Sequence, residues 1–298
     1  MSVGSRFLDP AVLARLPNLE LVARRLVDGM FVGYHKSPRF GYSVEFVDHR
    51  DYVAGDDLRT VDWKVWARKD KYYVKRFEME SQLRGTIVLD TSTSMDFGEG
   101  ALTKLTYGSM LAASLAHLLI HQNDLAGLST FDGKVRNHLA ARGGRSHLRD
   151  LLHVLGQVKP GPGTDVATSC NHLAELIPPR GMVMVISDLL DDVDKVLHAL
   201  RHLRHEKHDV IVFHLLDDAE LDLPYQELLN LRDVETGQRL AVDANAFRGQ
   251  YRERVGDFCQ RIREGCIASN IDYQLIKPSQ PLEEVLARFM NFRLRRAR

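Results

Sequence analysis

From residue 84 onward, short apolar runs alternate with longer stretches whose apolar positions recur every three or four residues. The run "GTIVLD" (85–90) predicts a strand, and "KLTYGSMLAASLAHLLIHQN" (104–123) a helix. "LAGLSTF" (125–131) predicts a second strand. "KVRNHLAA" (134–141) is shorter and more polar, which suits a sheet edge. Helices follow over 147–158 and 165–177, then the buried strand "GMVMVISD" (181–188), a helix over 192–207 and the strand "DVIVFHLLD" (209–217). The pattern closes with a helix over 247–269, the strand "IDYQLIK" (271–277) and a helix over 282–296. Continuous apolar strands separated by helices predict a mostly parallel sheet covered on both faces, a three-layer α/β domain.

Two regions break the alternation. The stretch "ELLNLRDVETGQRLAVDA" holds two alternating runs around "ETG", which predicts a hairpin inserted over about 226–245. Residues 1–82 show two short helical stretches, "DPAVLARL" and "LELVARRLVDGM", then extended aromatic segments, "FVGYH", "YSVEFV" and "YYVKRFEM". They predict a small β-containing module, with the α/β domain occupying 83–298.

Composition adds exclusions. Forty basic residues balance forty acidic ones, so no global charge draws the chain to nucleic acid or membrane. Three cysteines fall short of a disulfide framework and point to a reducing compartment. The most apolar helix carries Ser114 and His117 and is too short to span a bilayer. A soluble cytoplasmic protein is expected.

The candidate chemistry lies at strand ends. Asp90 closes the first α/β strand and is followed by Thr91, Ser92, Thr93 and Ser94; Asp188 closes "GMVMVISD". In open parallel sheets ligands bind beyond the carboxyl ends of strands, where the strand order reverses. If these two strands are neighbours, both carboxylates reach one crevice. Thr164 sits in the glycine-rich loop "KPGPGTDV", which permits close backbone approach. Singly, each residue is accounted for as a cap or turn. Together, two carboxylates and three hydroxyls form an all-oxygen set suited to Mg²⁺ or Mn²⁺. Asp191, Asp192 and Asp165 are neighbouring competitors, and Asp188 is preferred because it ends the apolar run.

The set Asp90-x-Ser92-x-Ser94, Thr164 and Asp188 resembles the metal-ion-dependent adhesion site of von Willebrand factor A domains. That resemblance implies direct coordination by Ser92, Ser94 and Thr164. Asp90 and Asp188 would act mostly through water, leaving one position for a partner's carboxylate. Upstream, "HRDYVAGDDLRTVDWKVWARKDKYYVKRFEME" resembles the signature of the bacterial domain-of-unknown-function family 58 (DUF58), with Ala54 where proline is usual. This second resemblance implies a MoxR-type AAA+ ATPase as partner.

Other signals carry less. Basic and aromatic residues interleave over 59–76, but Asp56 and Asp57 precede them, so a network among Arg59, Asp62 and Arg68 or a partner surface fits better than nucleic acid. His198, His202 and His205 share a helix face with Arg201 and Arg204, a solvated basic face. There is no Walker A pattern and no nucleophile elbow. The expected function is a metal-dependent protein-interaction module, an adaptor or cofactor of the ATPase in chaperone-like work. The alternative is a Mg²⁺-dependent phosphatase or hydrolase using Asp90. Against it, haloacid-dehalogenase-type phosphatases need an aspartate where Ser92 stands.

Overall fold

A computed structural model describes residues 10–14, 18–34, 46–53, 61–69, 71–77, 82–163, 165–225, 228–232 and 239–296. The chain divides into two units, Met1–Phe31 with Leu83–Arg298, and Val32–Gln82. In chain order, α1 (Pro10–Leu13) and α2 (Leu19–Tyr34) precede β1 (Phe46–Asp51), α3 (Trp63–Lys69) and β2 (Tyr73–Phe77). Next come β3 (Arg84–Asp90), a 3₁₀ turn at Thr93–Asp96, the short β4 (Gly98–Glu99) and β5 (Leu102–Thr103), and α4 (Lys104–His121). After these follow β6 (Leu125–Phe131), β7 (Val135–Arg142), α5 (Arg145–Gly156), α6 (Val166–Leu176), β8 (Met182–Ser187) and α7 (Val193–His205). The chain continues through β9 (Asp209–Leu215), α8 (Asp218–Asp222), β10 (Leu228–Arg232), β11 (Arg239–Asp243), α9 (Ala244–Ala268), β12 (Asp272–Ile276) and α10 (Leu282–Arg296).

The smaller unit pairs β1 with β2 antiparallel, and α3 lies between them in sequence. Sequence patterning does not predict α3. Its backbone starts where the Asp62 carboxylate accepts the Val65 N–H at 3.3 Å, and Trp66 stacks on Tyr72. The extended run expected at "FVGYH" is instead the last turn of α2 as far as Tyr34. Arg59 and the Arg68 side chain lie outside the described residues, and so does the network expected there.

The larger unit holds a six-stranded sheet in the order β12-β9-β8-β3-β6-β7. All pairs are parallel except the antiparallel edge strand β7, the polar run expected at an edge. Counted along the chain, this is the doubly wound order 3-2-1-4-5-6. Side chains alternate across it: Val88, Val183, Val185, Val210 and Val212 enter one core with α6, α7 and α9. On the other face Gly108 of α4 fits against Leu89 and Ile186. Both faces of the central strands are covered, which is why β3, β6, β8 and β9 read as apolar runs. The result is a three-layer von Willebrand factor A-like α/β fold, with β10–β11 as the inserted hairpin. Cys170 and Cys266 lie in its core, while Cys259 is half-buried.

Residues up to Phe31 group with this unit, not with a module spanning 1–82. The cause is the apolar stripe of α2: Val22, Ala23, Leu26 and Val27 are at most 1% exposed.

A candidate metal-binding cleft at the strand switch point

The sheet reverses direction of growth between β3 and β8, and these strands pair in parallel register from Gly85↔Met182 to Leu89↔Ile186. Asp90 and Asp188 therefore emerge side by side, though 98 residues apart in sequence. Asp90, Ser92 and Asp188 have no exposed surface, and Ser94 is half-buried.

Each group is held. Asp90 Oδ1 accepts the Ser92 N–H at 2.9 Å, and Asp90 Oδ2 accepts the Ser187 hydroxyl at 2.6 Å. The Ser187 hydroxyl in turn accepts the Leu189 N–H at 2.9 Å. Burial, and then the adjacent Asp188 charge, push the Asp90 carboxyl up to about 7 despite those hydrogen bonds. The Ser92 and Ser94 hydroxyl oxygens stand 3.0 Å apart. Asp188 Oδ1 accepts the Leu190 N–H at 3.3 Å, and its backbone carbonyl accepts Nε2–H of His214 at 2.8 Å. Burial pulls the His214 imidazole down to about 4, so it stays neutral with Nδ1 facing the Tyr273 hydroxyl at 2.7 Å.

Thr164 lies outside the described residues, but the loop leading to it does not. The Gly161 N–H donates to the Thr91 carbonyl at 2.8 Å, and the Thr93 hydroxyl donates to the Gly161 carbonyl at 2.9 Å. Gly161 is required there, because a Cβ would run into the Asp132 carboxylate. Gly163 has φ +84°, which favours glycine. The competing acids are engaged elsewhere: Asp165 caps α6 through the Thr168 N–H (2.8 Å) and Asp192 caps α7 through the Lys195 N–H (3.0 Å). The Asp191 carboxylate accepts the Asp192 N–H at 2.6 Å.

Sequence reasoning missed two charged members of this region. Lys104 is fully buried, with Nζ 2.8 Å from Asp188 Oδ2 and 2.5 Å from Glu220 Oε1. Burial works against its ammonium, but the charges and hydrogen bonds of Asp188 and Glu220 outweigh it and raise the pKa above the usual lysine value. Burial raises the Glu220 carboxyl, with Lys104 opposing.

The donor set fits a hard cation. Two oxygens cis on an octahedral Mg²⁺ at about 2.1 Å stand about 3.0 Å apart, which is the spacing of the Ser92 and Ser94 hydroxyls. Among the described residues no three His, Cys, Asp or Glu side chains converge as a metal site. Any ion held in this cleft would therefore need the hydroxyls as ligands.

The model of a family described as "Protein of unknown function DUF58" matches residues 48–259. Uncharacterized protein Rv1480 of Mycobacterium tuberculosis is 29% identical over 234 residues, covering 77% of this chain and 73% of that protein. Among solved structures, BatB from Bacteroides thetaiotaomicron aligns with a TM-score of 0.49 at 18% identity, over 70% of this chain and 97% of that one. The SpRpn10 VWA domain aligns with a TM-score of 0.40 at 15% identity, over 68% and 94%.

Proposed function

The chain belongs to the DUF58 family, and on that premise we propose that the cleft is a metal-ion-dependent protein-interaction site that takes Mg²⁺ or Mn²⁺. The observation that carries this reading is the Ser92–Ser94 hydroxyl pair at 3.0 Å above two fully buried carboxylates. Ser92, Ser94 and Thr164 would hold the ion directly, and Asp90 and Asp188 would act from behind them. Bound there, the ion supplies a Lewis-acidic position for a partner's Asp or Glu. Neutral hydroxyl donors leave that position electrophilic, whereas a set of direct carboxylates would quench it.

The partner we propose is a MoxR-type AAA+ ATPase, with this chain as its adaptor or cofactor. A hydrolase using Asp90 is disfavoured by the same geometry. Both Asp90 oxygens accept hydrogen bonds and neither reaches solvent, so the carboxylate is poorly placed to attack a substrate. No helix among the described residues is long and apolar enough to cross a membrane.

The test is a pull-down of the cognate ATPase by this chain in Mg²⁺ and in chelator. Capture is expected in Mg²⁺ alone, and Ser92→Ala with Ser94→Ala should abolish it. A complex that survives both chelator and the double substitution overturns the reading.

A further inference from the structure

Lys104 is the first residue of α4, with Thr103 as its cap. A cation at a helix N-terminus is opposed by the helix dipole. A buried ammonium also loses its hydration, at an effective cost of several kcal/mol. Folding alone asks for neither, since α4 is otherwise apolar and well capped. What offsets both costs is the pair of carboxylates on Nζ, aided by the Phe97 ring 5.9 Å away.

Glu220 is itself fixed from the far side. Its Oε2 accepts the Asp217 N–H at 2.8 Å, closing a capping box, and its carbonyl accepts the Tyr251 hydroxyl at 2.7 Å. Arg248 and Arg252 of α9 donate to the Leu223 and Asp222 carbonyls, so α8 is strapped to α9. Lys104 thus ties Asp188 to a braced segment that lies 116 residues from the lysine itself in the chain.

The ammonium meets Asp188 and Glu220, and Asp90 adjoins Asp188; when all three acids are ionised, these linked groups carry three negative charges to one positive. The excess equals the charge of one divalent cation. We propose that Lys104 is the charge-setting residue of the cleft: its ammonium, bonded to Asp188 and with Glu220 as counter-charge, sets the cluster's charge for a single divalent ion. This rests on the metal reading above and names how the site's charge is regulated.

The signs follow from Coulomb's law. Lys104→Met removes the positive charge with little change of length, leaving three carboxylates to repel one another. Its thermal midpoint should fall in chelator and recover in Mn²⁺, so its metal-induced shift exceeds that of the wild type. Its Mn²⁺ affinity should rise at least about tenfold. Glu220→Gln removes a negative charge, so affinity should fall by about the same factor. The double variant restores the charge balance and should bind nearly as the wild type does, a non-additivity that a merely structural lysine would not produce.

Calorimetric Mn²⁺ titration and thermal melts of the four proteins, with and without chelator, decide the matter. If Lys104→Met does not fold, Glu220→Gln decides alone: unchanged affinity overturns the proposal. Equal midpoint losses for Lys104→Met in chelator and in Mn²⁺, or additive effects in the double variant, overturn it too. A wild type that gives no Mn²⁺ heat at all sinks the metal reading itself, and this inference with it.

Discussion

A carboxylate with no exposed atom and an acidic neighbour is expensive to keep, and the hydrogen bonds from Ser92 and Ser187 do not offset its burial. Such a group costs stability unless its charge is compensated, and under the proposed metal reading the cation is that compensation. Asp90→Asn retains an acceptor for the Ser92 N–H and removes the buried charge. We expect its midpoint in chelator to equal or exceed that of the wild type, while Mn²⁺ affinity drops by about tenfold or more. A variant that binds Mn²⁺ as before excludes Asp90 from the site. Asp90 and Asp188 were legible in the sequence because each directly ends an apolar run. Lys104, Glu220 and Ser187 were not, since their partners lie 84 to 116 positions away. One local signal existed for Lys104: a cation in the first turn of a helix, where the dipole disfavours it.

Between residues and fold, the cleft depends on two loops that knit together. The Thr91–Ser94 segment and the Gly161 loop exchange two hydrogen bonds, and the missing Cβ of Gly161 is what lets them meet beside Asp132. Asp132 cannot easily yield, because its Oδ2 accepts Arg136 Nε at 2.6 Å and its Oδ1 the Lys134 N–H at 3.2 Å. Gly161→Ala should therefore push the loops apart, costing about 1–3 kcal/mol of stability and weakening Mn²⁺ binding. Gly156→Ala, where an added Cβ meets nothing, should leave both unchanged or slightly improved. Denaturant melts and titration of the two variants separate the outcomes, and equal behaviour sinks the argument. The strand and helix pattern of this domain was readable because the central strands β3, β6, β8 and β9 are buried on both faces, while the edge strand β7 announced itself by its polar alternation. The last turn of α2 and the whole of α3 were misread or missed: "FVGYH" and "WKVWARK" are rich in aromatic and β-branched residues, whose strand preference tertiary context overrides.

At the level of the whole chain, the first 31 residues lie far in sequence from the sheet they join. Leu13 and the stripe Val22, Ala23, Leu26 and Val27 are buried. The start of α2 shares a groove with Arg149, Leu152 and His153 of α5, and the charges of Asp28, Arg24 and Glu20 act on His117 of α4. The helix therefore covers the α4–α5 layer. Periodicity in "LELVARRLVDGM" announced an amphipathic helix but not its address, because an apolar stripe says only that something covers it. The consequence is testable. A chain beginning at Leu83 retains the junction of the sheet, where the Leu83 N–H donates to Asp124 Oδ1 at 3.0 Å and its carbonyl accepts the Leu125 N–H at 2.8 Å. It loses the cover, however, and exposes apolar surface on α4 and α5. Removing one such side chain by Leu26→Ala should cost about 2–5 kcal/mol, and the truncated chain should lose at least as much or become insoluble. Both effects should appear as a lower midpoint of the α/β unit in denaturant melts followed by circular dichroism. A chain from Leu83 that melts where the full chain does would show that α2 is an appendage to this domain rather than part of its core.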